Sequence, residues 1–249
     1  MKQTTHAGTT PCLAGRDSDV ARLDWVSQAL SSLPPGLRIL DAGAGEQRLR
    51  KFCGHLDYVS QDFCQYEPAA DQQMLKTDRW DTSRIDLVSD ITSIPVPPAS
   101  FDVVLCSEVF EHIPDPVAAV REFARVLKPG GMLILTAPFC SLTHMAPYHH
   151  ASGLNRYWYE HHLPRSGLTI DEITPNGNWF EFVGQELRRA RFVSRTYSSG
   201  LVGWLMLLAA LPMRAMLGWL SRKDRGSNQL LCFGFFVKAT KSAEWAALA

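Results

Sequence analysis

Asp41, Asp62 and Asp90 each close a short apolar run, and His144, His149 and His150 fall together in one loop-forming stretch. Behind Asp41 come Gly43 and Gly45, a pair that lets the backbone bend sharply and approach a ligand with no Cβ in the way. A dinucleotide fingerprint needs a third glycine where this chain has Arg48, so pyrophosphate is disfavoured. The Asp41 charge repels phosphate and suits a ligand carrying an amino group or a sulfonium, which makes a cationic nucleoside a better fit than a nucleotide. The histidines offer a different chemistry, since an imidazole near its ordinary pKa can take a proton from a hydroxyl. They stand at i, i+5 and i+6 in a stretch containing Pro147, which is no recognised metal-ligand frame. A base or a substrate contact is therefore expected among them, and no metal.

The acids act together only if the chain brings them to one edge. Residues 39–41 read as a buried strand, the glycine pair as a turn, and 47–52 as the start of a helix whose free N–H groups face a ligand. Residues 58–62, 85–91, 101–108 and 132–138 repeat the apolar-strand pattern. In an open parallel sheet the carboxyl ends of such strands share an edge, so the three acids would line one crevice, with Asp62 where a second strand places a ribose-binding carboxylate. Amphipathic spacing predicts a helix from Asp17 to the stop at Pro34-Pro35-Gly36, and others over 116–127 and 155–166. A sixth strand is expected at 168–174 and the last at 229–240.

Between those two strands lies an insertion, 176–228. Residues 178–191 suggest an amphipathic helix, and 201–220 are almost wholly apolar. That run nears the length of a membrane span, but Pro212 and Arg214 interrupt it and the chain must return to the sheet, so a full span is not expected. Arg188, Arg189, Arg191 and Arg195 precede it, and Arg222, Lys223 and Arg225 follow. An apolar helix with basic flanks suits its own domain, the interface of an anionic membrane, or a partner subunit in a homo-oligomer.

At 249 residues with 46% hydrophobic content, the chain can bury one large core and reads as a single elaborated domain. Its parts would be an arm at 1–16, a ligand-binding core at 17–140, a substrate loop, helix and strand at 141–175, the insertion, and the last strand. The net charge of zero gives no bulk attraction for nucleic acid. Six cysteines without C-x-x-C spacing argue against a zinc site or a disulfide scaffold and for a reducing, cytoplasmic setting. The polar first fifteen residues are no secretory signal.

The run Leu40-Asp41-Ala42-Gly43-Ala44-Gly45, then Asp62, Asp90-Ile91 and Phe101-Asp102-Val103-Val104 leading into Glu111-His112-Ile113-Pro114-Asp115, resembles the class I S-adenosylmethionine-dependent methyltransferases. So does Val126-Leu127-Lys128-Pro129-Gly130-Gly131. The resemblance covers 36–140 and implies an α/β fold: a Rossmann-like, mostly parallel seven-stranded sheet with helices on both faces, here with a helical insertion before the last strand. It implies S-adenosylmethionine held by Asp41, Gly43, Gly45 and Asp62, with Asp90 and the Ile91 backbone at the adenine and Ser107 where cofactor and substrate meet. The family's third loop glycine is Gln47 here, whose amide would reach the methionine part instead. The rigid Asn/Asp-Pro-Pro-Tyr clamp of nucleobase methyltransferases is missing after the fourth strand, which favours small molecules or sugars. A weaker likeness, through Pro147-Tyr148-His149 and residues 156–163 and 173–177, is to a bacterial branch associated with surface-polysaccharide clusters. The expectation is O-methylation of a sugar or glycan hydroxyl by in-line displacement, with His149, His150 or His144 as base. A lipid, quinone or secondary-metabolite acceptor is the rival within the class, and a noncatalytic cofactor-binding scaffold the rival outside it.

Overall fold

A computed structural model describes residues 14–15, 18–67 and 80–243. The arm expected at 1–16 lies almost wholly outside the described residues, as does much of the connection after the second strand. The chain divides into two compact units, Asp19–Asn176 with Phe233–Ala249, and Met1–Ser18 with Gly177–Cys232.

The larger unit is built on a seven-stranded sheet of β1 (Arg38–Ala42), β2 (Asp57–Asp62), β3 (Leu87–Val88), β4 (Phe101–Ser107), β5 (Leu127–Pro138), β6 (Leu168–Asn176) and β7 (Gly234–Lys241). Their order is β3-β2-β1-β4-β5-β7-β6. The first five are parallel, and β7 runs antiparallel to both β5 and β6. Strand alternation sends Ile39, Val103, Leu105 and Ile134 to one face, where they pack with Val26, Ala29 and Leu30 of helix α1 (Ser18–Ser31). Their neighbours Leu40, Val104, Leu133 and Leu135 point the other way and are equally buried. A sheet buried on both faces explains why these strands read as continuous apolar runs.

Helix α2 (Pro116–Val126) starts where the Asp115 side chain accepts a hydrogen bond from the Ala118 N–H, with Pro116 in the first turn. Its Glu122 is buried and accepts from the Ile94 N–H at 2.6 Å and from Arg125 at 2.7 Å, while Arg125 also donates to the Ile94 and Val96 carbonyls. The turn after Asp90 is thereby tied to α2. Glu122→Ala strands the Ile94 N–H and should lower the unfolding free energy in urea by about 2 kcal/mol. An unshifted midpoint would show that the tie contributes nothing.

Two expected elements differ. The strand expected over 85–91 shortens to Leu87–Val88, because the Asp86 carboxylate accepts from the Ser60 N–H and hydroxyl and Asp90 turns back to accept from Thr92. The helix expected over 47–52 is a turn followed by one 3-10 turn, Arg50–Phe52. Gln47 sits at φ 56°, a left-handed conformation that no helix continues through.

The smaller unit carries α4 (Trp179–Tyr197) and α5 (Gly200–Ser221), and the larger unit α3 (Arg156–Arg165) against β6. Asn178 caps α4 by accepting from the Glu181 N–H. At Gly203 a Cβ would stand 2.9 Å from the Ser194 Cβ, so α5 approaches α4 closely there. Arg214, expected to interrupt the apolar run, is buried and donates to the Ala14 carbonyl at 3.0 Å, while the Ala14 N–H donates back to the Arg214 carbonyl. Much of the rest of α5 is exposed: Leu201, Leu205, Leu208 and Met216 are more than half exposed, and Trp204 and Trp219 about half, while Ala210 and Leu217 are buried. Among the described residues, α5 is the one helix long and apolar enough, by length and composition, to cross a membrane.

Candidate active site

The carboxyl ends of β1, β2 and β4 open onto a cavity of about 490 Å³. Gly43, Gln61, Asp62, Asp90, Ile91, Glu108 and Val109 line the sheet side; Phe63, Gln65 and Trp80 form one wall; His112, Ile113, Pro114, Met145, Pro147, Tyr148 and His150 form the other. A volume of this size, mostly apolar with a few converging polar groups, is that of a small-molecule site.

Two backbone features make the sheet side. Gly43 has φ 76°, and a Cβ there would meet the Val109 side chain at 2.5 Å, so only glycine allows the loops after β1 and β4 to close together. The Asp62 carboxylate, at the tip of β2, accepts from the Gly45 N–H and the Cys64 N–H, each at 2.9 Å. It thus clips the glycine loop to its own strand. Glu108 and Met145, both lining this cavity, adopt positive φ, and backbone held in sparsely populated regions tends to gather at ligand sites. Glu108 is held by an ion pair with Arg22 of α1 at 2.9 Å and by the Thr136 hydroxyl.

Of the residues expected at the cofactor, Gly43, Asp62, Asp90 and Ile91 border the cavity, and Gly45 joins it through its bond to Asp62. Three do not. Asp41 shares strand parity with Ile39 and turns to the α1 face, where it is 2% exposed and accepts from the Tyr58 hydroxyl at 2.6 Å. Gln47 donates to the Ser60 hydroxyl and the Arg84 carbonyl and faces a separate polar depression bounded by Glu46, Arg50, Asp81 and Arg84. Ser107 bonds to the Thr136 hydroxyl. Of the histidines, His112 and His150 border the cavity, whereas His144 and His149 do not line it and pack against His112. Tyr148, Val109, His112 and Trp80 were not singled out as site residues from sequence.

Burial raises Asp41 to about 6, against the lowering bond from Tyr58 and with the help of the nearby Asp62 charge. The folded protein therefore holds a proton between about pH 4 and 6 that the unfolded chain has released, so stability falls as pH rises through that window and is flat above it. The stability lost from this carboxyl alone is on the order of 2–3 kcal/mol. Melting curves should show Asp41→Asn removing this part of the slope and raising the neutral-pH midpoint; a slope unchanged by the substitution would acquit Asp41.

The other wall is attached by backbone. The Glu111 carbonyl, in the short 3-10 helix Phe110–His112, accepts from the His150 N–H at 2.8 Å and the Ala151 N–H at 3.2 Å. The Glu111 side chain is 2% exposed, and burial, with the Glu108 charge second, raises its pKa. Burial also pushes His112 down to about 4, opposed by its bond to the Tyr148 carbonyl and assisted by His144, His149 and His150.

A sheet of this order, with two acid-tipped strands and a close glycine turn opening on one cavity, resembles the Rossmann-like architecture of the class I S-adenosylmethionine-dependent methyltransferases. Residues 40–135 match the Methyltransferase domain family. The ubiquinone biosynthesis O-methyltransferase of Xanthomonas campestris pv. campestris (strain B100) is 35% identical over 118 residues, 46% of this chain and 48% of the relative. Its counterpart in Xanthomonas oryzae pv. oryzae (strain PXO99A) is 36% identical over the same length. The chain thus matches about half the length of these curated relatives. The fold also resembles that of the [4+2]-cyclase SpnF, with TM-score 0.55 and 20% identity over 92% of this chain and 84% of that one.

The cavity's own chemistry fits S-adenosylmethionine. Its charged lining is acidic at Asp62, Asp90 and Glu108, which suits a sulfonium, an amino group and ribose hydroxyls.

Proposed function

We propose that this protein is an S-adenosylmethionine-dependent O-methyltransferase whose acceptor is a quinone-type ring hydroxyl carried by an apolar molecule, with His150 as the base. The observation that carries the reading is that a single cavity is bounded on one side by Asp62, Asp90 and Gly43 and on the other by Tyr148 and His150. When bound, the cofactor supplies an electrophilic methyl group on sulfur and leaves as a neutral thioether, so no acid is needed for departure. The acceptor hydroxyl must lose its proton as its oxygen forms the new C–O bond, and of the three loop histidines His150 is the one that lines the cavity. Phe63, Trp80, Ile113 and Pro114 give that space an apolar lining. Asp62 and Asp90 hold the polar ends of the nucleoside.

The quinone-type acceptor takes support from the relatives' names and from α5. A glycan acceptor rests on the sequence resemblance alone. Arg191 lies 3.6 Å from the centre of the Trp204 ring and Lys223 4.0 Å from that of Trp219, so a cation paired with an indole marks each end of the exposed apolar helix. Tryptophan and snorkelling cations at the ends of an apolar surface suit the headgroup level of a membrane, and the positive flanks select anionic lipid.

Transfer of labelled methyl from S-adenosylmethionine to a panel of phenolic and quinol acceptors, set beside glycan acceptors, tests the reaction. Turnover confined to glycans would overturn the acceptor class, and no turnover with retained cofactor binding would favour a scaffold. For the surface, the protein should sediment with vesicles containing phosphatidylglycerol and not with neutral ones, and Trp204→Glu with Leu208→Glu should release it. Equal recovery in the supernatant with both vesicle types would remove the membrane from the proposal.

A further inference from the structure

Beside the cavity, with His112 shared between the two, four side chains converge that the methyl-transfer reading does not use. His112 donates its Nδ1–H to the Tyr148 carbonyl at 2.6 Å, and His144 donates its Nδ1–H to the Leu142 carbonyl at 2.8 Å. A carbonyl can only accept, so in both rings Nε2 carries the lone pair. Those two Nε2 atoms face the same carboxylate oxygen, Glu111 Oε1, at 3.7 and 3.9 Å. The second oxygen, Glu111 Oε2, is buried with no hydrogen-bond partner, and so are both ring nitrogens of His149. One ligand atom from each of His112, His144 and His149 lies within 4.8 Å of the others.

Buried polar atoms left unpaired in such number call for an explanation, and an unseen ion is one of the few that physics offers. Hydrogen bonding of one imidazole nitrogen to a backbone carbonyl, which fixes the other as the donor, is the outer-shell arrangement of metal-bound histidine. We propose that His112, His144, His149 and Glu111 form a closed zinc site that locks the 141–151 loop to the 3-10 helix at 110–112. Four protein ligands make it a structural site rather than one with an open position for chemistry. A tetrahedral Zn²⁺ with Zn–N of about 2.0–2.1 Å sets its ligand atoms roughly 3.3–3.4 Å apart, so the three imidazole ligand atoms, within 4.8 Å of one another, need to close by at most about 1.5 Å. Borderline-soft imidazole and one carboxylate favour Zn²⁺ over Ca²⁺ or Mg²⁺, which take oxygen shells. The proposal goes beyond the methyl-transfer reading and stands or falls separately from it.

The test uses the full chain, stripped with chelator and titrated with Co²⁺ as a spectroscopic stand-in and then with Zn²⁺. The expected result is one equivalent of Co²⁺ showing the intense visible absorption of a four-coordinate ion, with no sulfur-to-metal charge-transfer band, displaced by Zn²⁺. Zinc should also raise the melting temperature. His149→Ala should weaken binding by more than the about 10–100-fold that loss of an outer-shell partner brings, and Glu111→Gln should alter the cobalt spectrum. His149 makes no hydrogen bond in the apo protein, so His149→Ala should keep the fold, which near-ultraviolet circular dichroism checks; His144→Ala serves as the second variant. A thiolate band would assign the metal to cysteines such as Cys64 or Cys140 and sink the site. Absent binding, or binding indifferent to both histidine variants, would also sink it and leave water as the partner of the buried atoms.

Discussion

His150→Ala should lower kcat for methyl transfer by about 10²–10⁴-fold while leaving the affinity for S-adenosylhomocysteine close to that of the wild type. The expectation follows from the division of the cavity: His150 stands on the loop wall, away from the acids on the sheet side, so removing its imidazole takes a proton acceptor and no cofactor contact. General-base removal has the stated magnitude when deprotonation accompanies bond formation. Added imidazole should restore part of the rate by entering the space the side chain leaves. His144→Ala is the instructive comparison, because that ring lies beside Glu111 and does not line the cavity. If His150→Ala turns over like the wild type, the base lies elsewhere or the acceptor arrives already ionised.

Asp62→Ala should weaken S-adenosylhomocysteine binding on the order of 100-fold in a calorimetric titration. The carboxylate takes two backbone N–H groups, from Gly45 and Cys64, and its deletion both unclips the glycine loop and removes an acceptor from the cavity. A hydrogen bond to a charged group contributes about 1.5–3 kcal/mol, and more is lost when its donor is left buried and unpaired. Asp62→Asn separates the parts: one amide oxygen keeps one of the two N–H bonds, so intermediate affinity is expected. Wild-type affinity in Asp62→Ala would show that the cofactor is held elsewhere and would overturn the sheet-side site.

The fold was readable because doubly covered strands announce themselves as apolar runs and because Gly43 and Asp62 occupy positions where backbone geometry leaves little choice. Side-chain direction was harder. Asp41 closes its strand as Asp62 does, but as a neighbour of Ile39 by alternation it turns under α1, and the acid at the strand end concealed that parity. Gln47 occupies a left-handed position where a glycine is cheaper, and its amide then serves an outer latch to Ser60 and Arg84 instead of the cavity. The cluster beside the cavity could not be found by spacing within the 144–150 stretch, since His112 and Glu111 join it from another element. Arg214 looked like a break in an apolar helix, yet the backbone carbonyl of Ala14 receives it.

The attachment of the 141–151 loop through one backbone oxygen has an evolutionary corollary. Because the Glu111 carbonyl receives the His150 and Ala151 amides directly, that mooring contains no side chain, and a point substitution at any of the three positions other than proline leaves its atoms in place. Descendants of this sequence are free to exchange residues along the loop, and with them the preferred acceptor, without first reinventing how the loop is tethered. Drift in substrate choice is thereby decoupled from the risk of losing the wall that makes a choice possible.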